Sequence, residues 1–201
     1  MPDEPQFFTQ LSSASTGLSP ALADVRSHLQ NPTTEDNDYI TALIKSANTF
    51  LSNRVSGGYS IANDTWLTFM SSLPASRITL PKPPLASVTS LKFTTTGGST
   101  ATVSSTKYAV HRPTNAPGQI ELLTNQSWTT GNIDTSRDWP VKVTHVCGSS
   151  TGTPLQVQQA VKLVVGHWYA NREAVLKGTI SNPIALAVDD LLDSQSYGFY
   201  G

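Results

Sequence analysis

The stretch PLQVQQAVKLVVGHWYANRE, residues 154–173, decides the reading of the fold. Val157, Val161, Val164, Val165 and Trp168 recur at spacings of three and four, which places them on one face of an α-helix. Thr153 and Pro154 supply the start signal, a capping residue followed by a proline with a pre-set helical φ. Burial is worth about 1.5–3 kcal/mol per large apolar side chain, so this stripe needs a partner.

The partner is found upstream. Residues 35–54 read as a second long helix, capped by Thr33 or Thr34, with Glu35, Asp36 and Asp38 in the first turn where the macrodipole favours acid. Its stripe is Ile40, Leu43, Ile44, Ala47 and Leu51, flanked by Tyr39 and Phe50. Gly57-Gly58 stops it. Val157, Val161, Val164 and Trp168 are therefore expected to pack on Ile40, Leu43, Ala47 and Leu51 as a bundle core. Two shorter helices flank the pair. One starts at Ser19-Pro20, carries Leu22, Val25 and Leu29, and ends at Asn31-Pro32. The other starts at Asn182-Pro183 and carries Ile184, Ala187, Val188, Leu191 and Leu192.

Between the helical segments the pattern changes to short Val-, Ile-, Thr- and aromatic-rich runs at 66–69, 77–80, 88–93, 107–111, 119–123 and 141–147. Thr96-Gly97-Gly98-Ser99 reads as a hairpin turn, and Pro81-Lys82-Pro83-Pro84 cannot lie inside a central strand. The expected class is α+β, a helical bundle from the N- and C-terminal helices with an inserted small antiparallel β region. The segments are a flexible N-terminal arm at 1–17, the bundle at 18–57 and 154–192, the β region at 58–153 and a C-terminal arm at 193–201.

Composition narrows the function. Among 201 residues, charged side chains make up only 13% and apolar ones 38%, while 24 Ser and 25 Thr fill the difference. A long, highly charged disordered chain is excluded. With a net charge of −1 the chain as a whole is not a basic nucleic-acid binder. Residues 1–57 carry three basic and six acidic groups, residues 58–153 seven and four, and residues 154–201 three and four. That asymmetry is able to steer subunits head to side, although accidental clustering on a solvated surface is the simpler reading at such counts. One cysteine, Cys147, excludes an intrachain disulfide framework and a cysteine-built zinc site. The acidic start MPDEPQ has no apolar run behind it, and no stretch approaches the length of a membrane span. Synthesis in the cytoplasm, without membrane attachment, is expected.

The sequence holds no P-loop, GxGxxG, GxSxG or HExxH. His145 and Cys147 share a strand face, an arrangement that in principle makes a nucleophile, but packing before the Gly148 turn is the favoured reading. His167 reads as a core or interface histidine, and His28 and His111 have no partner at ligand spacing. Asp189, Asp190 and Asp193 lack the oxygen-rich loop that calcium prefers. No catalytic residue, cofactor or metal is assigned, and the chain is expected to bind rather than catalyse. Seven basic residues scattered over the β region make no nucleic-acid cluster, and Trp66, Trp128 and Trp139 are not interleaved with them.

Read in order, several segments resemble the head–tail connector (adaptor, or head-completion) family of tailed bacteriophages and gene-transfer particles. LSPALADVRSHLQNP and TTEDNDYITALIKSANTFLSNRVSGG look like its two N-terminal helices, and ITLPKPPLASVTSLKF like its strand–proline–strand passage. Tyr108-Ala109-Val110 matches a Y-x-V strand, and WPVKVTHVCG resembles a W-P … V-x-V … A-G strand with Cys147 where Ala is usual. The block HWYANRE within 154–173 is the most telling likeness, and NPIALAVDDLL resembles the closing helix. The likeness spans residues 18–192. It implies a structural virion protein at the neck. Such a protein forms a homo-oligomeric ring, a dodecamer, beneath the portal and bridges the DNA-filled capsid to the stopper or tail. The implied partners are the portal protein, a stopper or tail-completion protein, other copies of the chain, and DNA passing through the channel without sequence-specific binding.

The C-terminal arm is expected to dock on the portal. Asp193 sits where a helix end disfavours acid, and Tyr197, Phe199 and Tyr200 crowd the segment after it. The alternative from another class is a β-rich carbohydrate-binding module that stacks sugar on Trp66, Trp128 or Trp139.

Overall fold

The structure is a computed structural model, described over residues 6–14, 18–31, 33–54, 60–113, 116–128, 133–148, 153–172 and 182–193. In chain order the first elements are β1 (Phe7–Ser13), α1 (Leu22–His28), α2 (Asn37–Arg54), β2 (Asp64–Met70), β3 (Arg77–Leu80) and β4 (Leu85–Thr94). Then come β5 (Thr100–Thr102), β6 (Tyr108–His111), β7 (Gly118–Leu122), β8 (Val141–Cys147), α3 (Leu155–Ala170) and α4 (Asn182–Asp193). The fold is mixed α+β, with four helices and two antiparallel sheets among the described residues. It divides into two compact units, Met1–Ala14 with Asn63–Gly148, and Ser15–Ala62 with Ser149–Gly201.

The helical unit is built on the stripes that periodicity identifies. Ile40, Leu43, Ile44, Ala47 and Leu51 of α2 share one buried cluster with Val157, Val161, Val164, Val165 and Trp168 of α3, together with Val25 of α1 and Val188 and Leu192 of α4. Phe50 meets Trp168 edge to face at 5.7 Å, a geometry that aromatic quadrupoles favour. Two helix starts differ from the sequence reading. The first helix begins after Ala21, and Ser19 bonds the Thr153 hydroxyl instead of a helix N–H. Thr153 in turn donates to the Ile61 carbonyl at 3.0 Å, so α3 starts with no side-chain cap. Both hydroxyls tie the unit's loops together rather than ending helices. Ala187, expected in the closing stripe, is exposed.

In the other unit the strand order is β1-β2-β8-β4-β5 in one sheet and β3-β7-β6 in the second. Alternate residues of β8 (Val141, Val143, His145, Cys147) are buried, as a strand with one face on a core requires. Met70, Leu91 and Phe93 from the five-stranded sheet bury a common cluster with Ile78, Leu80 and Ile120 from the three-stranded one. The eight strands among the described residues form two sheets, so the β region is more substantial than the small one expected.

Two further corrections concern pairing. The segment read as part of a flexible N-terminal arm contains β1, which pairs antiparallel with β2 from Phe7↔Met70 to Ser13↔Thr65. The sequence FFTQLSS has little alternation of its own. Its order comes from distant partners: Phe8 stacks on Phe69 at 4.8 Å and 12°, and the Gln6 N–H donates to the Ser71 hydroxyl at 3.0 Å. The turn at 96–99 joins β4 to β5, whereas the strand read at 107–111 pairs with β7 in the other sheet. Only three residues long, β5 leaves too short a run for an alternation signal.

Candidate functional site

His145 and Cys147 do come together, on the buried face of β8. His145 Nδ1 lies 3.1 Å from Cys147 Sγ, and Nε2 lies 2.9 Å from Thr68 Oγ1 on β2. Thr68 Oγ1 is 3.3 Å from the Thr9 hydroxyl on β1, and the Cys147 thiol points at the Pro81 carbonyl at 3.6 Å. One proton assignment satisfies every group. Cys147 donates to Pro81, Nδ1–H donates to the sulfur, Nε2 accepts from Thr68, and Thr68 accepts from Thr9.

The electrostatics oppose nucleophilic chemistry. Burial pushes the Cys147 thiol up to about 12, with Asp64 adding to the effect, and burial lowers His145 to about 4. At neutral pH the pair is a thiol and a neutral imidazole, the reverse of the thiolate–imidazolium pair that attacks substrates. The chain of bonds instead joins β1, β2, β8 and the loop after β3 across the core.

The HWYANRE block performs a second positioning task. Tyr169 donates to the Asp36 carboxylate just ahead of α2, and Arg172 approaches the same Oδ2 at 3.1 Å. The Arg172 guanidinium lies 4.9 Å from the Tyr39 ring centre and 5.0 Å from that of Tyr169, a cation–π arrangement. Asn31 Nδ2 donates to the Tyr169 hydroxyl at 2.8 Å. The hydrogen bond from Tyr169, helped by Arg172, holds the Asp36 carboxyl below the usual carboxylate range. Asn171 closes α3 by donating its side-chain amide to the His167 carbonyl. The cluster locks the α1–α2 junction onto the end of α3.

The outward face of the five-stranded sheet carries a feature that sequence spacing hides. The register aligns Phe8, Phe69, Lys142, Lys92 and Thr102 in one row across β1, β2, β8, β4 and β5. Trp139 meets Phe8 edge-on at 4.8 Å. Phe69, Trp139 and the two lysines line a hollow of about 140 Å³, and Phe8 packs on the two aromatics from β1. Lys92 and Lys142 lie 50 residues apart in sequence, so only strand pairing could reveal them as neighbours.

The three candidate sugar-stacking indoles occupy three settings. Trp128 is buried and donates to the Pro74 carbonyl at 2.8 Å, Trp66 lies under the Lys82 ammonium at 5.3 Å, and Trp139 faces Phe8. The eight bundle-core residues are all buried in one cluster. Of the docking candidates, Tyr197, Phe199, Tyr200 and the Asp193 side chain lie outside the described residues. No group of His, Cys, Asp and Glu fit to hold a metal occurs among the described residues, and no described helix is long and apolar enough to cross a membrane.

The helical unit is clamped by its own aromatic–ionic cluster, and in the two-sheet unit the Thr68–His145–Cys147 chain of bonds ties strands together; with these two units the chain is an α+β scaffold. The same fold occurs in solved structures of phage-like particles. The chain superposes on a component of the virion of a native gene transfer agent particle with a TM-score of 0.73 and 20% identity, over 95% of this chain and 96% of that one. It matches a chain in the neck of the empty gene transfer agent particle, computed with C6 symmetry, at 0.73 and 17% over 95% and 96%. A chain in the neck of the native particle, computed with C12 symmetry, follows at 0.65 and 19% over 94% and 96%. No family model matches the chain, and no curated protein does.

Proposed function

We propose that the chain is a head–tail connector, a structural protein of the virion neck. It forms a ring under the portal and bridges the DNA-filled capsid to the stopper or tail. The observation that carries this reading is the end-to-end likeness of fold to chains of gene transfer agent necks, 95% of this chain on 96% of that one. The C6 and C12 symmetries of those necks support a ring of copies. The protonated Cys147 and neutral His145 support a role that is not enzymatic. In this reading the two ends of the chain supply the bundle, the sheets are its insertion, and Asp193, Tyr197, Phe199 and Tyr200 dock on the portal. DNA passes through the ring without being read.

Negative-stain imaging of particles made with and without the chain tests the reading. Particles lacking it should carry portals with no density beneath them and no tails, and adding the purified chain should restore both. Deleting residues 194–201 should leave the melting temperature within about a degree of wild type while abolishing attachment to portal rings. Necks that form normally without the chain would overturn the proposal.

A further inference from the structure

The hollow on the outward sheet face is unexplained by the chain's own stability. Lys92 and Lys142 are directly opposed on β4 and β8, and like charges in opposed cross-strand positions are destabilising. No acidic side chain among the described residues forms a salt bridge with either lysine. Trp139 stands beside them with φ of 59°, in the left-handed region that bulky side chains avoid. Its indole and Phe8 leave apolar surface in the open, since Phe8 is 40% exposed. A hollow of about 140 Å³ is too small for an ordinary ligand pocket of roughly 300 Å³ or more. It suits one or two side chains of a protein partner.

The complementary fault lies on α4. Leu186 is 67% exposed, and Asp190, one turn later on the same helix face, is exposed as well. Asp190 falls in the last turn, which contains no basic residue, and the macrodipole there disfavours an acid. An apolar side chain with an uncompensated carboxylate is the counterpart of an aromatic wall with two uncompensated ammoniums.

We propose that the two surfaces meet between copies of the chain: the Leu186–Asp190 face of α4 seats in the Phe69–Trp139–Lys92–Lys142 hollow of the next copy, with the exposed Phe8 packed against its aromatic wall. Leu186 lies on the aromatics and Asp190 between the lysines. The contact joins two different patches, so it is head to tail, and repetition closes a ring when the rotation per copy divides a full turn. The inference rests on the connector reading and names the interface that such a ring would use.

The test mixes two singly substituted chains, Lys142→Cys and Asp190→Cys, under mild oxidation. The native Cys147 is buried, so wild-type chain serves as the unlinked control. A disulfide-linked pair containing one chain of each kind is expected. Charge reversal gives a second readout: Lys92→Glu with Lys142→Glu should weaken self-association at least tenfold by sedimentation, and adding Asp190→Lys should recover most of the loss. Circular dichroism should be unchanged throughout. Wild-type rings that persist while the mixed disulfide fails to form and charge reversal has no effect would overturn the interface and leave the connector reading standing. Absence of any ring from glutaraldehyde-treated wild-type chain, alone or on portal rings, would remove both. Lysine variants that assemble normally but lose duplex DNA would overturn the protein–protein assignment in favour of a phosphate contact.

Discussion

Arg172, just past the end of α3, lies 3.1 Å from the carboxylate of Asp36, just ahead of α2, with its guanidinium against the rings of Tyr39 and Tyr169. A lone surface ion pair contributes little, but this carboxylate also accepts from Tyr169. The group therefore acts as a network. Arg172→Lys keeps the charge and loses the flat stacking surface, so it should lower the melting temperature nearly as much as Arg172→Ala. A double-mutant cycle with Asp36→Asn should be clearly non-additive. Asp36 has a lowered folded pKa, so its contribution is complete above the ordinary carboxylate value and is lost as the pH falls through the folded one. Asp36→Asn should flatten that acid limb in melts taken from pH 5 downward.

His145 gives a separate pH signature. Its folded value of about 4 lies below the 6.5 of an unfolded histidine, so below pH 6.5 the unfolded chain binds a proton that the folded chain refuses. Stability is thus insensitive to this group above pH 6.5 and falls between 6.5 and 4, by at most about 1.4 kcal/mol per pH unit. Below 4 the effect levels off. Urea midpoints across this range should show the slope in wild type and lose it in His145→Asn, which should also be less stable at pH 7 because Thr68 and Cys147 lose a shared partner.

Trp168 tests the helical unit. It is buried among the α2 and α3 stripes and meets Phe50 edge-on. Trp168→Ala should cost about 3–5 kcal/mol, the usual range for an aromatic truncated in a core. Denaturant unfolding measures it directly. An unchanged midpoint combined with lost assembly would instead place the indole at a contact between copies.

The parts of this fold that were legible in sequence are those that encode themselves locally. The α3 stripe from Val157 to Trp168 and the strands at 77–80 and 141–147 carry their period in consecutive residues. What escaped depends on distant pairing. Phe7–Ser13 becomes a strand because β2 lies beside it, and Lys92 meets Lys142 only through β4–β8 register. Ser19 and Thr153 look like caps in one dimension, yet they bond each other in three. The HWYANRE block was recognisable as a pattern, while its use as a clamp required knowing that Asp36 and Tyr39 lie opposite it.

Gly118 offers a test of the sheet-bearing unit. It opens β7 opposite Leu80 of β3, and a Cβ built on it would fall within the volume of the Leu85 side chain at the start of β4. Leu85 is buried in the cluster shared by the two sheets, so it cannot swing out to solvent without exposing apolar surface. Glycine is therefore required here for space. Gly118→Ala should destabilise by about 1–3 kcal/mol, the range for overpacking a filled core, and a larger side chain should do worse. Leu85→Ala alone should also destabilise, by leaving a cavity. The double variant Gly118→Ala with Leu85→Val should recover little of the loss, because the atoms that the new methyl meets include the Leu85 Cβ, which valine keeps. Urea unfolding of the three variants settles the point: a Gly118→Ala midpoint equal to wild type would mean that the two strands move apart at no cost.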